Sequence, residues 1–364
     1  MPAVWFDLDN SPHVPLFAPL IRRLRADGVN VVITARDHSQ TVELLDLLGF
    51  AGTYTMIGRH YGKRRMDKVR GLLVRSRQLV SHINSLHADI DVAVSHGSRS
   101  MVLAARWLRI PVVTMYDYEY TETTIFNRFS TKVLVPDLIP DSVLDEIALD
   151  RSKRAKYPGL KEELYLRNFK PVENFREQFL GDYGRGSEHE KVLVTLRPPA
   201  TDANYHSDKS EILLDDILHL LANSHDVITV VVPRTHAQAA AIATRIANIA
   251  DAGERFIILD SAVDALQLAY ASDLLISGGG TMNREAAILG VPVYSIFGGR
   301  QGSLDREMER EGKITFIRDA RDLSKLAIER RSKEAPPILT DRVEKFVLTE
   351  IREYMDVSDP QDRV

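Results

Sequence analysis

Throughout the chain, short apolar runs alternate with stretches of helical period, and no other feature constrains the fold as much. In the first half the runs are 3–6, 30–34, 53–57, 91–95, 111–115 and 132–135. Between the first two, Val14, Phe17, Ala18, Ile21 and Leu24 recur at helical spacing. The segment 66–86 does so more clearly, with Val69, Leu72, Leu73, Leu79, Val80, Ile83 and Leu86 on one stripe. The second half repeats the scheme. Its strands are expected at 191–196, 227–232, 256–259, 273–277, 292–297 and 314–317, and its helices at 211–222, 236–249, 263–269 and 281–289. Short apolar strands separated by helices predict parallel βαβ units with right-handed crossovers.

A chain of 364 residues has room for two such domains. The stretch 155–190 is richer in Pro, Gly and charge ("KYPGLKEELY", "LGDYGRGSEHEK") and is read as the junction. The expected division is an N-terminal domain at 1–170, a second doubly wound domain at 171–340, and a C-terminal helix with a polar tail at 341–364. Two doubly wound domains in tandem are expected to face a central cleft at the carboxyl ends of both sheets, where open α/β sheets bind ligands. The loops that follow strands are therefore the functional candidates.

Composition narrows the chemistry. The net charge is −4, whereas a dedicated nucleic-acid binder is normally basic, so nucleic acid is not an expected partner. There is no cysteine, which removes thiol nucleophiles and thiolate metal sites and fits a reducing, cytoplasmic setting. No apolar stretch approaches the roughly 20 residues of a membrane span. Residues 1–15 carry Asp7 and Asp9 in a strand-like start and are not expected to be a signal peptide.

The most informative stretch is "ASDLLISGGGTMNREAAILGVPVYSIFGG". A strand runs into Gly278, Gly279 and Gly280, and Thr281 opens a helix. Three glycines let backbone approach a ligand, and a helix N-terminus offers free N–H groups to a diphosphate. Asn283 lies within the same first turn. Glu285, just beyond it, is placed to accept hydrogen bonds from a ribose. The plain alternative is a tight strand–helix turn with no ligand.

"SGGGTMNREAAILGVPV" resembles the donor motif of GT-B-fold enzymes. These include MurG-type glycosyltransferases and UDP-N-acetylglucosamine 2-epimerases. The whole chain resembles the DUF354 family of predicted glycosyltransferases through "DLDNSPHV", "YPGLKEELYL" and "SGGGTMNREAA". The resemblance implies a GT-B fold with two Rossmann-like domains. It also implies a nucleotide-diphosphate sugar, UDP-linked, as co-substrate, with 1–170 as the acceptor-side domain and 171–340 as the nucleotide-sugar-binding domain.

Other post-strand loops add candidates. Arg197 in "VLVTLRPPATDANYH" and Arg234 in "VVVPRTHAQ" are placed to reach a donor phosphate, and His236 either joins them or caps its helix. Asp117 and Glu119 in "VTMYDYEYTETT" pair as acid and base, bind sugar hydroxyls, or form a solvated loop. "SHGS" at 95–98 is similar to the His-Gly-Asp segment of the epimerases, with Ser98 in place of the acid. Ser98 is equally suited to cap a helix. The basic loop "IGRHYGKRRMDKVR", bracketed by Gly58 and Gly62, suits a lid or a phosphorylated or lipid-linked acceptor with peripheral membrane contact. No metal site is expected, since His82 and His87 are five apart and share no helix face as an i, i+4 pair would.

The opening "MPAVWFDLDNSPHV" admits two readings. Asp7-x-Asp9 resembles the nucleophile motif of haloacid-dehalogenase-type phosphatases. The partner acids that chemistry needs are not found after later strands. In the GT-B reading His13 opens a helix and takes a proton from the acceptor or binds the acceptor, with Asp9 orienting it. The resulting expectation is a metal-independent glycosyltransferase acting on an unidentified acceptor. A UDP-N-acetylglucosamine 2-epimerase-like isomerase is the alternative. A non-catalytic nucleotide-sugar-binding protein and the phosphatase stand behind it.

Overall fold

The computed structural model describes residues 1–37, 40–59, 65–199, 208–249, 252–261, 263–332 and 334–355. The chain divides into two compact units. The first comprises Met1–Arg167, Gly302–Leu304 and Leu339–Val364, and the second Asn168–Gln301 and Asp305–Ile338.

The first unit holds a seven-stranded sheet. Its strands are β1 (Ala3–Leu8), β2 (Asn30–Asp37), β3 (Thr55–Arg59), β4 (Val92–His96), β5 (Val112–Met115), β6 (Lys132–Pro136) and β7 (Arg154–Tyr157). They lie in the order β3-β2-β1-β4-β5-β6-β7, all parallel. Every residue of β1 is buried, as a central strand covered by helices on both faces requires. The helix His13–Ala26 packs Val14, Phe17, Leu20, Ile21 and Leu24 inward. The expected helix at 66–86 spans Arg65–Ser85. The C-terminal helix Arg342–Arg352 groups with this unit and pairs Glu344 with Arg167 at 2.8 Å and Glu350 with Lys132 at 3.3 Å.

The second unit holds β8 (Val192–Arg197), β9 (Val227–Val231), β10 (Phe256–Ile258), β11 (Leu274–Ser277), β12 (Val293–Ser295) and β13 (Thr315–Phe316). Their order is β10-β9-β8-β11-β12-β13, again parallel. Alternate residues feed two cores. Val192, Val194 and Leu196 of β8 join Leu214, Ile217 and Leu218 on one face. Leu193 joins Ile228, Val230 and Leu268 on the other. Helices thus cover both faces, as the period of the sequence required.

Each sheet reverses its strand order at one place: between β1 and β4 in the first, and between β8 and β11 in the second. At such a point neighbouring loops diverge and leave room for a ligand. The stretches beginning at Asp9 and Gly97 leave the first of these points. Those following Arg197 and Ser277 leave the second.

Every strand expected from the apolar runs is present. Strand β7 was not expected, and its residues were read as the start of the junction. It alternates half-buried Arg154 and Lys156 with buried Ala155 and Tyr157 at the edge of the sheet, so no apolar run marks it. Among the described residues, no helix is long and apolar enough to cross a membrane.

Candidate functional site

Beneath the carboxyl edge of the first sheet lies a buried polar network. Asp7, at 0% exposure, takes both Arg75 nitrogens at 2.8 and 2.9 Å, the Thr34 hydroxyl at 2.6 Å and the Ser98 hydroxyl at 2.5 Å. Arg75 reaches in from the helix Arg65–Ser85 and also donates to the Ile57 carbonyl at 2.9 Å. An Asp7 carboxylate so fully engaged is a structural anchor, which removes the phosphatase-type nucleophile. Ser98 accepts the Met101 N–H as the cap of the helix Arg99–Leu108 while donating to Asp7. Ser98 is therefore a cap and a tie, with its hydroxyl spent.

Above this network sit the catalytic candidates. The Asp9 carboxylate is 3.3 Å from both Arg36 and Arg75. Burial nevertheless pushes its pKa above the usual carboxylate range, outweighing the two arginines. The Asp9 backbone N–H, rather than its carboxylate, donates to His13 Nδ1 at 3.2 Å. His13 is buried, and its ring lies 5.2 Å from that of His96, centroid to centroid. His96 Nε2 is 3.4 Å from Asp117. Asp117 in turn is paired with Lys161, which also contacts Glu162 at 3.0 Å. Glu119 accepts the Ser303 N–H and hydroxyl at 2.7 and 2.6 Å. The structure thus brings His13, Asp9 and Asp117 into one cluster and ties Glu119 to Ser303 of the same unit.

Burial, then His96, Lys161 and Arg36, hold the His13 pKa well below 6.5, against the pull of Asp117. The sign follows directly. Unfolded, His13 takes a proton near pH 6.5, whereas folded it does not until much lower pH. The unfolded state therefore binds more protons in that window, and stability falls as pH falls. Between pH 7.5 and 5.5 the wild type should lose about 1.4 kcal/mol more than a His13→Gln variant, read by urea unfolding. Equal losses would show that His13 titrates normally.

In the second unit, Arg197 ends β8 and donates to the Val232 and Pro233 carbonyls at 3.0 and 3.1 Å. Burial, and then Arg234, push its pKa down to about 9, with Glu285 opposing. Gly278 N–H binds the Arg197 carbonyl at 2.9 Å, and Gly279 N–H binds Ser277 Oγ at 3.0 Å. The helix Gly280–Ile288 begins with no side-chain cap, so its first N–H groups are not taken by one. Thr281 lies half-buried in its first turn. Asn283 is buried and donates to Ser295 Oγ at 3.0 Å, while its Oδ1 accepts no hydrogen bond among the described residues. Arg234, Arg197 and Glu285 share one electrostatic neighbourhood, and the guanidinium of Arg234 lies against Gly279.

The glycines are needed for space. A Cβ on Gly278 would lie 2.6 Å from Pro199 Cα, and one on Gly279 would lie 2.7 Å from Arg234 Nη2. Pro199 cannot easily retreat, because its carbonyl accepts from Gln238 Nε2 at 2.8 Å. Gly278→Ala should cost about 1–3 kcal/mol by overpacking, measured by urea unfolding. An unchanged midpoint would mean the turn yields freely.

His236 is exposed, and its helix is capped instead by Thr235, which accepts the Gln238 N–H. In the basic loop, residues 60–64 lie outside the described residues, as do 200–207 after Pro199. No cluster of three or more metal-ligating side chains occurs among the described residues. Sequence reasoning did not single out Arg75 or Lys161, and it read His96 only as part of the "SHGS" segment. Arg75 carried a signal, since it falls three residues after Leu72 and four before Leu79, on the apolar stripe of its helix.

Two parallel Rossmann-like units of seven and six strands make this a GT-B-fold protein. The chain belongs to the family described as "Protein of unknown function (DUF354)", whose model matches residues 3–355. The Methanocaldococcus jannaschii protein MJ0665 is 27% identical over 332 residues, covering 88% of this chain and 89% of that one. Among solved structures, the M. jannaschii UDP-GlcNAc 2-epimerase in complex with UDP-GlcNAc and UDP is 15% identical with a TM-score of 0.71, over 97% of this chain and 99% of that one. S. aureus MnaA with UDP is 13% identical with a TM-score of 0.70, over 98% of both chains. Anabaena HepE with UDP-glucose is 15% identical with a TM-score of 0.60, over 89% of this chain and 88% of that one. At these identities the likeness is one of fold.

Proposed function

We propose that this chain is a nucleotide-sugar-dependent glycosyltransferase whose second unit binds the donor without a metal ion. The observation that carries the donor site is the pairing of two guanidiniums, Arg197 and Arg234, beside an uncapped helix N-terminus and three glycines. Two half-buried cations that disfavour each other's charge become favourable once a diphosphate lies between them. The helix N-terminus adds N–H donors and partial positive charge. Glu285 supplies the acceptor for ribose hydroxyls. During transfer an acceptor oxygen attacks the anomeric carbon and loses its proton to a base. The bond from that carbon to the diphosphate breaks, and its electron pair leaves on the phosphate. Arg197 and Arg234 stabilise that developing charge.

The 2-epimerase reading is favoured by the UDP-GlcNAc 2-epimerases among the fold neighbours. The commitment of Ser98 to Asp7 and to its helix cap weighs against it. The test is a thermal-shift screen with UDP-GlcNAc, UDP-glucose and GDP-mannose in EDTA, beside a Glu285→Ala variant. Stabilisation by one of them, lost in the variant, is expected by mass action. No shift with any of them would overturn the reading. Incubation with UDP-GlcNAc alone in D2O then separates the two activities. Deuterium at sugar C2 would identify an epimerase and is not expected of a transferase.

A further inference from the structure

Of the two roles the sequence offers His13, proton removal and binding, its geometry suits the second. A neutral imidazole has one N–H and one lone pair. The His13 lone pair is on Nδ1, because that atom accepts the Asp9 backbone N–H at 3.2 Å. The ring proton is then on Nε2. The accepting nitrogen is occupied, and the other can donate but cannot accept. A base needs the reverse arrangement.

His96 offers it. The residue ends β4, at the point where the first sheet reverses its strand order. Its Nε2 faces Asp117 Oδ1 at 3.4 Å, short of hydrogen-bond geometry but close enough to direct the Nε2 proton. Such distances are commonly long before substrate binds. Asp117 is held in place by Lys161, itself braced by Glu162. With Nε2 turned to a fixed carboxylate, the Nδ1 lone pair of His96 is left to accept a proton. Asp117 then stabilises the imidazolium that forms, as an orienting carboxylate does in a base–carboxylate pair.

We infer that His96, oriented by Asp117, takes the acceptor's proton, and that His13 is fixed as an Nε2–H hydrogen-bond donor to the bound substrate. This assignment rests on the nucleotide-sugar reading above. In the step, the acceptor O–H bond breaks as its oxygen bonds the anomeric carbon. The proton moves to His96 Nδ1, and the nucleoside diphosphate departs with the electron pair of the broken bond.

The experiment has two arms. Long-range 1H–15N spectra of the 15N-labelled full chain, assigned through His13→Gln and His96→Gln variants, read the tautomers directly. Neutral His13 and neutral His96 should both carry the proton on Nε2. A proton on Nδ1 of either ring overturns the assignment whatever turnover shows. The second arm follows UDP released from UDP-GlcNAc with water as acceptor. His96→Gln should lower kcat about 10²–10⁴-fold with KM within a few-fold. His13→Ala should also lower turnover, and His13→Gln, whose amide N–H can stand in for Nε2–H, should recover at least about tenfold of that loss. Recovery by His96→Gln relative to His96→Ala, with none by His13→Gln relative to His13→Ala, would reverse the two roles. If the tautomers hold and no nucleotide sugar binds, the donor reading fails and the base assignment falls with it. If nucleotide sugar is bound and turned over but His96→Gln stays fully active, the base assignment alone fails.

Discussion

Replacing Arg75 with methionine is expected to cost about 3–5 kcal/mol of unfolding free energy, a loss large enough to move a urea midpoint well below that of the wild type. The guanidinium is 1% exposed and Asp7 is 0% exposed. Removing one partner of such a pair leaves a buried carboxylate beside Thr34 and Ser98, with no cation in bidentate contact. The cost comes from that stranded charge more than from the lost attraction. A double variant, Arg75→Met with Asp7→Asn, should therefore recover part of the stability, because neither group then carries charge into the interior. The two substitutions must be non-additive, since the residues touch at 2.8 Å. A single-variant loss below about 1 kcal/mol would mean that water reaches the pair and that it does not anchor the loops following β1 and β4.

That pair also shows where sequence reasoning stops. The strands of both sheets were legible because a buried parallel strand must be apolar on both faces, and a run such as Val227–Val231 has few other uses. The glycine turn and its helix were legible for a similar reason. Gly278, Gly279, Gly280 and Glu285 are neighbours in the chain, so their spacing already carries their geometry. The first-unit cluster is assembled differently. His13 opens one helix, Arg75 lies within another, His96 ends β4, Asp117 follows β5 and Lys161 follows β7. One sequence contains no record of which distant residues meet. Asp7 and Arg75 are 68 positions apart, and nothing local marks them as partners. The tautomer of His13 was less legible still, since it depends on a single backbone N–H. The opening "DLDNSPH" suggested an Asp9 carboxylate orienting His13, whereas that carboxylate turns to Arg36 and Arg75. Strand β7 escaped notice because half of its residues are charged, which an edge strand tolerates and an apolar-run search rejects.

The second large effect is expected at Arg197, and it separates binding from stability. In the free protein Arg197 is poorly placed: half-buried, beside Arg234, with its pKa pushed down to about 9. Substitution by methionine relieves that repulsion and removes a desolvated charge, while leaving the Val232 and Pro233 carbonyls without their donor. Those terms oppose each other, and net stability should change by no more than about 1–2 kcal/mol. Binding has no such offset. A charge-assisted contact to phosphate contributes about 1.5–3 kcal/mol, so affinity for UDP should fall roughly 10- to 150-fold, read by titration calorimetry. Arg197→Lys should recover less than half of that loss in free energy, because an ammonium cannot keep the fork that holds both carbonyls and reaches phosphate as well. A methionine variant that binds UDP as tightly as the wild type would show that the two arginines crowd for a reason other than a diphosphate. A variant that binds weakly yet melts as the wild type does would identify the strain around Arg197 as a feature kept for the ligand, since a residue retained for the fold alone would not be held so unfavourably in its absence.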